Sequence, residues 1–442
     1  MSGTSKSGVS RLFAAALLVA LAATSVRAQR ADSAAIPARP KLDPGADTNS
    51  AQANYTYGMK RIDDDPQESV RAFYWASRID PTSGDAMYAL WTATLVAMSD
   101  PQLASYLGHG PHPHEKRTGE QLELDSLIYR AYVVNPFLFS SLDRALMKRT
   151  IEAEIGTLNP KMKPELKAQV VAREVHAAAA QPSIAYSQGR FQEALDSYAF
   201  ELYASKLFGE PPTKKKPNAK EKQYAEMVKV GLAFEHVDLH AKRARIFFQL
   251  HELDSATTEM TAAISILQAQ DSGSFQPIYL SKAIFDESLG IIYEHDRRLD
   301  LAREAYGRAL QEDLSFYAAH NRLAGLELEQ GDTTNALTDI DLAVQLAPRD
   351  PALRYRYAEV LVSARRDAEA GQQLIKAIAL DPYYGSPHLM LAMMSDVENY
   401  TDDAIAEYKA YVALAARSEP QLPRIKARLA KLTSSVASTQ PH

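Results

Sequence analysis

At 442 residues the chain can bury a large core, with room for two or three domains or one long repeat array. Its 49 Lys and Arg stand against 55 Asp and Glu, a net charge of −6, and that weak acidity argues against a nucleic-acid binder, which would show a basic face. It has no cysteine, which excludes disulfides, thiolate metal sites, cysteine nucleophiles and a lipid-modified N-terminal Cys.

The N-terminal residues 1–28 read as an address. Lys6 and Arg11 precede an apolar run from Leu12 to Ala23, and Val26-Arg27-Ala28 puts small residues where a signal peptidase needs them. The run is shorter than the roughly 20 apolar residues that span a bilayer, so a cleaved secretory signal is the expectation and an uncleaved N-terminal membrane anchor the alternative. The mature chain is then exported, periplasmic or secreted. No later segment is apolar enough to span. Residues 29–48, with Pro37, Pro40, Pro44 and Gly45, read as a flexible leader.

Residues 49–206 read as a divergent helical-repeat region. Asp63-Asp64-Asp65 before Pro66 marks a helix start, where negative charge complements the dipole. Gly108-His109-Gly110-Pro111-His112-Pro113-His114-Glu115 is the sharpest local feature. Its imidazoles His109, His112 and His114 could take zinc, copper or nickel with Glu115 as a fourth ligand. The alternate prolines, however, favour a polyproline-like run that sets His109 and His112 on one edge and turns His114 away. Residues 207–222, with Gly209, Pro211, Pro212 and Lys214 to Lys216, read as an exposed linker, and 223–282 as one divergent repeat with an insertion.

The informative region is 283–416. Leu289, Leu323, Tyr357 and Leu391 recur every 34 residues, each followed by a small residue: Gly290, Ala324, Ala358 and Ala392. Ala302, Ala336, Ala370 and Ala404 form a second small column. Beyond it come the bulky column Tyr306, Ile340, Leu374 and Tyr408 and the small one Ala309, Ala343 and Ala377, broken by Tyr411. Intervals of three and four put these residues on one helical face. Small residues let two antiparallel helices cross closely while the bulky column fills the gap beside them. Thr333, Asp367 and Thr401 stand where the second helices start, as capping residues, after turn residues Gly331 and Asn399. Pro348 and Pro382 close two units. Fainter copies lie upstream: Ala244, Ala256, Met260 and Ala263; Gly189, Ala194 and Tyr198; Phe73, Ala76 and Pro81. Residues 417–433 read as a capping helix with the stripe Leu422, Ile425, Leu429 and Leu432, and 434–442 as a disordered tail.

This pattern resembles the tetratricopeptide repeat (TPR), a 34-residue pair of helices with small residues at the crossing, an aromatic or aliphatic plug and a terminal proline. The resemblance implies an all-α fold, an α-solenoid of antiparallel helix pairs forming a TPR-like superhelix, here with a divergent helical N-terminal half. It also implies that contacts to a partner come from the inner face of the first helices. In this register those positions are Glu287, Ile291 and Glu294, then Asn321, Arg322, Gly325 and Glu329. The third unit offers Tyr355, Arg356 and Glu359, and the fourth Leu389, Met393 and Asp396. Arg322 and Arg356 sit one unit apart, placed to bracket an acidic segment. The Lys/Asn set with which some family members clamp a peptide carboxylate is not reproduced.

No HExxH helix, Walker loop, GxGxxG turn or GxSxG elbow occurs. The expectation is therefore a scaffold or adaptor that binds a partner protein or peptide in its groove, with no enzymatic activity, no cofactor and no nucleic acid. Two other classes stay open: a metal- or small-ligand-binding helical protein using the His109–His114 loop, and the accessory domain of an unrecognised enzyme.

Overall fold

The computed structural model describes residues 36–107, 118–138, 142–158, 161–178, 181–208, 218–269 and 282–439. The expected signal segment 1–28, the loop holding His109, His112 and His114, and most of the expected linker 207–222 lie outside them. Among the described residues there are twenty helices and no strand.

The chain opens with a helical hairpin. In α1 (Ala51–Arg61) the Ser50 side chain caps the first turn, and in α2 (Pro66–Ile79) Asp65 accepts from the Glu68 N–H, with Pro66 in the first turn. The two helices approach closely at Gly58, where a Cβ would lie 2.7 Å from Phe73 Cε1. α3 (Gly84–Ala97) packs on α2 and on α5 (Gly119–Val134), skipping the short α4 (Asp100–Tyr106), which packs instead on α6 (Asp143–Leu158). α7 (Pro164–Ala178) lies against α6. α8 (Pro182–Ser187) and α9 (Phe191–Phe208) turn at Gly189, whose φ of +72° suits glycine. α10 (Ala219–Gln249), 31 residues long, pairs with α11 (Leu253–Ala269). The upstream residues that copy the repeat spacing are buried: Phe73, Ala76, Ala194, Tyr198, Ala244, Ala256, Met260 and Ala263.

Four hairpins of regular length follow. They are α12 (Lys282–His295) with α13 (Leu299–Glu312), and α14 (Tyr317–Glu329) with α15 (Thr333–Leu346). Next come α16 (Pro351–Ser363) with α17 (Asp367–Leu380), and α18 (Gly385–Val397) with α19 (Thr401–Leu414). Each hairpin packs its second helix on the first helix of the next, which makes a stacked α-solenoid. The columns read from the sequence meet in its core. Ala302, Ala336, Ala370 and Ala404 are fully buried, as are Tyr306, Ile340 and Leu374, with Tyr408 nearly so. Each apolar cluster joins residues of adjacent helices, as where Ala324, Ala336, Ile340, Leu353 and Val360 meet. Ala336→Leu or Ala370→Leu is therefore expected to cost about 1–3 kcal/mol in chemical denaturation, by forcing a close crossing apart. Glu329→Gln, at an exposed site paired with the exposed Arg297 at 2.8 Å, is expected to change stability by no more than about 0.5 kcal/mol. Equal effects at the two kinds of site would mean the columns are on the wrong face.

The turns correct the capping expectation. Thr333, Asp367 and Thr401 are the first helical residues rather than the caps. Asp332 caps α15 by accepting from the Asn335 N–H, while Arg366 and Tyr400 supply no side-chain cap. Closure of the preceding helix holds each turn instead. Arg297, Gly331, Arg365 and Asn399 all adopt positive φ, and the next residue's N–H donates back five positions, as from Asp332 to the Glu327 carbonyl at 2.8 Å.

α20 (Leu422–Thr439) packs on α19 and buries Leu422, Ile425 and Leu432, covering the last hairpin. It runs past residue 433 into the segment expected to be disordered, where the Ser434 and Ser435 hydroxyls donate to the Lys431 and Leu432 carbonyls. At the other end, residues 36–48 fall within the expected flexible leader but, with Asn49 after them, make fixed contacts. The Trp75 indole N–H donates to the Pro37 and Ala38 carbonyls, and the Arg39 guanidinium lies 3.9 Å from the Trp75 ring centre. The leader then meets the far end of the chain. The Asn49 side chain donates to the Ala413 carbonyl at 2.8 Å, the Arg417 side chain donates to the Gly45 carbonyl at 2.9 Å, and the Arg417 N–H donates to Asp47. Arg78 pairs with Asp381 at 2.8 Å, and Trp75 meets Tyr383 edge-on. The N-terminal hairpin is thus tied to the last two repeats.

Candidate functional site

The inner face of the array's first helices does not stand open along its length. α5 reaches toward it, and the two surfaces are joined by polar ties. Arg322 on α14 donates to the Val134 carbonyl at 3.3 Å, and Arg130 pairs with Asp350 at 3.4 Å. The Gln249 amide donates to the Phe137 carbonyl at 2.8 Å, while the Phe137 and Phe248 rings stack with centres 4.0 Å apart. Between these ties lies a cleft of about 830 Å³. The array lines one wall with Ile291, His295 and Arg322, and α1 to α3 line the other with Gln52, Tyr55, Asp80 and Asp85. Asn135, Phe137 and Phe248 close its end.

The cleft is electrostatically mixed. Burial raises the Asp85 carboxyl, with a hydrogen bond from Asn135 opposing, and burial pushes the Tyr55 hydroxyl up to about 12. Behind the wall, Glu287 is completely buried and neither carboxylate oxygen has a hydrogen-bond partner among the described residues. Burial pushes its pKa up to about 8, and Arg322, at 3.9 Å, opposes the shift. Arg322 also lies 3.7 Å from Glu294, whose carboxylate accepts from the Tyr306 hydroxyl at 2.5 Å.

The thirteen positions assigned to the groove therefore divide. Glu287 and Ile291 are buried, and only Ile291 and Arg322 line the cleft. Glu294 serves Tyr306 and Arg322; Asn321 and Gly325 are half-buried; Glu329 is exposed and pairs with Arg297. Tyr355 packs edge-on against Tyr384, and Arg356 is exposed with Glu359 at 3.4 Å. Leu389 joins the last apolar cluster, Met393 is exposed, and Asp396 is held by Arg428 at 2.6 Å and Tyr408 at 3.1 Å. Arg322 and Arg356 do not form a free pair, because Arg322 is already committed to Val134, Glu287 and Glu294.

One polar pattern escaped the sequence reading. His240 meets Glu259, His320 meets Asp339 and His388 meets Glu407, each at 2.6–2.7 Å and each joining the two helices of one hairpin across 19 residues. His320 and His388 hold the same register two units apart, and Arg354 with Gln373, 3.0 Å away, fills it in the unit between. The equal 19-residue intervals were the available signal.

What decides the repeat type is the coincidence of three registers in one set of hairpins: the left-handed turns at 297, 331, 365 and 399, the small column and the plug. The array has the tetratricopeptide-type fold. No protein-family model matches the chain. A Haemophilus influenzae protein described as uncharacterised is 28% identical over 96 residues, 22% of this chain and 54% of that one, so the match spans about half of that relative's length. Among solved structures, Pseudomonas aeruginosa PilF is similar at a TM-score of 0.39 and 20% identity, over 46% of this chain and 86% of that one. Yeast Tom70 gives 0.39 and 12% over 88% and 90%. YrrB, described as a TPR protein with an unusual peptide-binding site, gives 0.35 and 16% over 47% and 97%. Similarity this distant adds nothing to the geometry; the tetratricopeptide assignment stands on the hairpins themselves. No described helix is long and apolar enough to cross a membrane.

Proposed function

We propose that this chain is an exported scaffold or adaptor that holds an extended segment of a partner protein in the cleft between its tetratricopeptide array and its N-terminal hairpin. The observation that carries the reading is the cleft itself. At about 830 Å³ it admits several side chains, and its walls offer aromatic faces beside charged groups of both signs. Such a lining suits a peptide, whose backbone needs donors and acceptors while its apolar side chains need rings to rest on. Export is supported by Lys6, Arg11, the apolar run after them and the Val26-Arg27-Ala28 site.

A photo-crosslinking residue at Gln52, an exposed residue of the cleft wall, tests this. It is expected to capture a discrete partner from the exported fraction, while the same group at the exposed Lys409, away from the cleft, captures none. Capture at both positions, or at neither, would remove the cleft from the reading. Deleting residues 109–114 is expected to leave capture intact; its loss would favour the metal-binding alternative. N-terminal sequencing of the exported protein is expected to begin at Gln29, and a membrane-bound chain beginning at Met1 would establish the anchor instead.

A further inference from the structure

A second, smaller cavity lies where the N-terminal helices meet α10, away from the cleft. It measures about 130 Å³, well under the roughly 300 Å³ at which pockets for drug-sized ligands begin. Six helices build it: α3 supplies Tyr88, α5 Tyr132, α6 Asp143, α8 Ser183 and Tyr186, α9 Tyr198, and α10 Lys242 and Arg245. The mouth is at Ser183, which is exposed, and the deeper wall is formed by the buried rings of Tyr186 and Tyr198.

The groups in this cavity are not equally occupied. Tyr88 donates to Asp143 at 2.8 Å, Tyr186 donates to the Leu138 carbonyl at 3.2 Å, and Lys242 pairs with Asp238 at 2.5 Å. Arg245 is different. It is half-buried, its guanidinium lies 5.9 Å from the Tyr132 ring centre, and among the described residues neither a hydrogen bond nor an ion pair reaches it. The Tyr132 and Tyr198 hydroxyls likewise have no hydrogen-bond partner among the described residues. A guanidinium carries five donors and is strongly disfavoured inside a protein unless something accepts from them. Of the carboxylates that act on it, Asp238 is paired with Lys242 and Asp143 accepts from Tyr88, and burial raises the Asp143 pKa.

We propose that this cavity binds a small oxyanion, a carboxylate or phosphate group, held by the Arg245 guanidinium and by the hydroxyls of Tyr132 and Tyr198. The arginine fork matches two oxygens of such a group side by side, and phenols donate to the oxygens that remain. The size limits the ligand to the anionic group with a few atoms behind it. Because its walls come from α3, α5 and α6 on one side and from α9 and α10 on the other, an occupied site would join α10 to the helices before it.

Calorimetric titration of the full chain with inorganic phosphate, succinate and acetate, at matched ionic strength, tests the proposal. At least one of the three is expected to bind saturably with a Kd of about a millimolar or tighter, and the order among them separates phosphate from carboxylate chemistry. Arg245→Gln is expected to weaken that binding at least about tenfold. Should Arg245→Gln fail to fold, Tyr198→Phe and Tyr132→Phe, which remove one donor each and keep the ring, decide the matter. Each is expected to weaken binding about three- to tenfold with the fold intact. Absence of saturable binding for all three anions would overturn the proposal, as would binding that the arginine or tyrosine variants leave unchanged.

Discussion

Glu287→Gln is expected to be more stable than the natural chain at pH 8 by about 1–3 kcal/mol, with the advantage fading toward pH 5. The sign follows from burial. The folded chain holds the Glu287 proton up to about pH 8, whereas an unfolded carboxyl releases it near 4.5. Between those values the folded state binds more protons, so stability falls as pH rises through that window and levels off above it. Glutamine has the same shape and no charge to desolvate, so it escapes that loss. Arg322 gives the control. It is the cation nearest Glu287, and Arg322→Ala is expected to cost about 2–4 kcal/mol at pH 8 in the natural chain but less in Glu287→Gln, where no buried anion is left behind. Urea denaturation across pH reads both. Equal slopes of stability against pH in the two chains would show that Glu287 is ionised in the fold. Some dependence will persist in either, because burial and Asp339 push Glu327 up to about 7.

Gly290→Val is expected to cost about 2–3 kcal/mol, and to cost less when Tyr306 is also shortened to Ala. A Cβ at position 290 would stand 2.3 Å from Tyr306 Cε1 and 2.8 Å from Cζ. The ring cannot swing aside, since Tyr306 is fully buried and its hydroxyl is fixed by Glu294 at 2.5 Å. The helix would have to lift off its partner in the hairpin, opening the apolar cluster that contains Ala302, Ala305 and Leu289. A destabilisation unchanged by removing the ring would place the clash elsewhere.

The array was legible because it repeats: Gly290 beside Tyr306 and Ala324 beside Ile340 are two readings of one rule, and four consecutive copies fix the register. What stands opposite the array has no such redundancy. Arg130 meets Asp350 across 220 residues of sequence, and nothing in either neighbourhood announces the other. For that reason Glu287 looked like a groove residue. The 34-residue register puts it on the inner face correctly, but only the packing around Arg322 and Val134 reveals that this part of the face is covered. The histidine–carboxylate pairs were readable in principle from their shared interval, and were missed because both residue types are also common on solvated helix faces. The oxyanion cavity had no signature at all, since its lining is drawn from six helices with unrelated spacings.

In a linear stack of repeats each unit leans only on its neighbours, so the end units fray first and opening spreads inward. Here the tie from Asn49 to Ala413 and those from Asp47 and Gly45 to Arg417 join the two ends across 364 to 372 residues. Closing so long a loop costs little more entropy than closing one of half the length, because that cost grows only with the logarithm of the span. An open stack melts as a ladder loses rungs from its tips. This one has its first rung fastened beside its last, and only the capping helix α20 lies beyond the fastening.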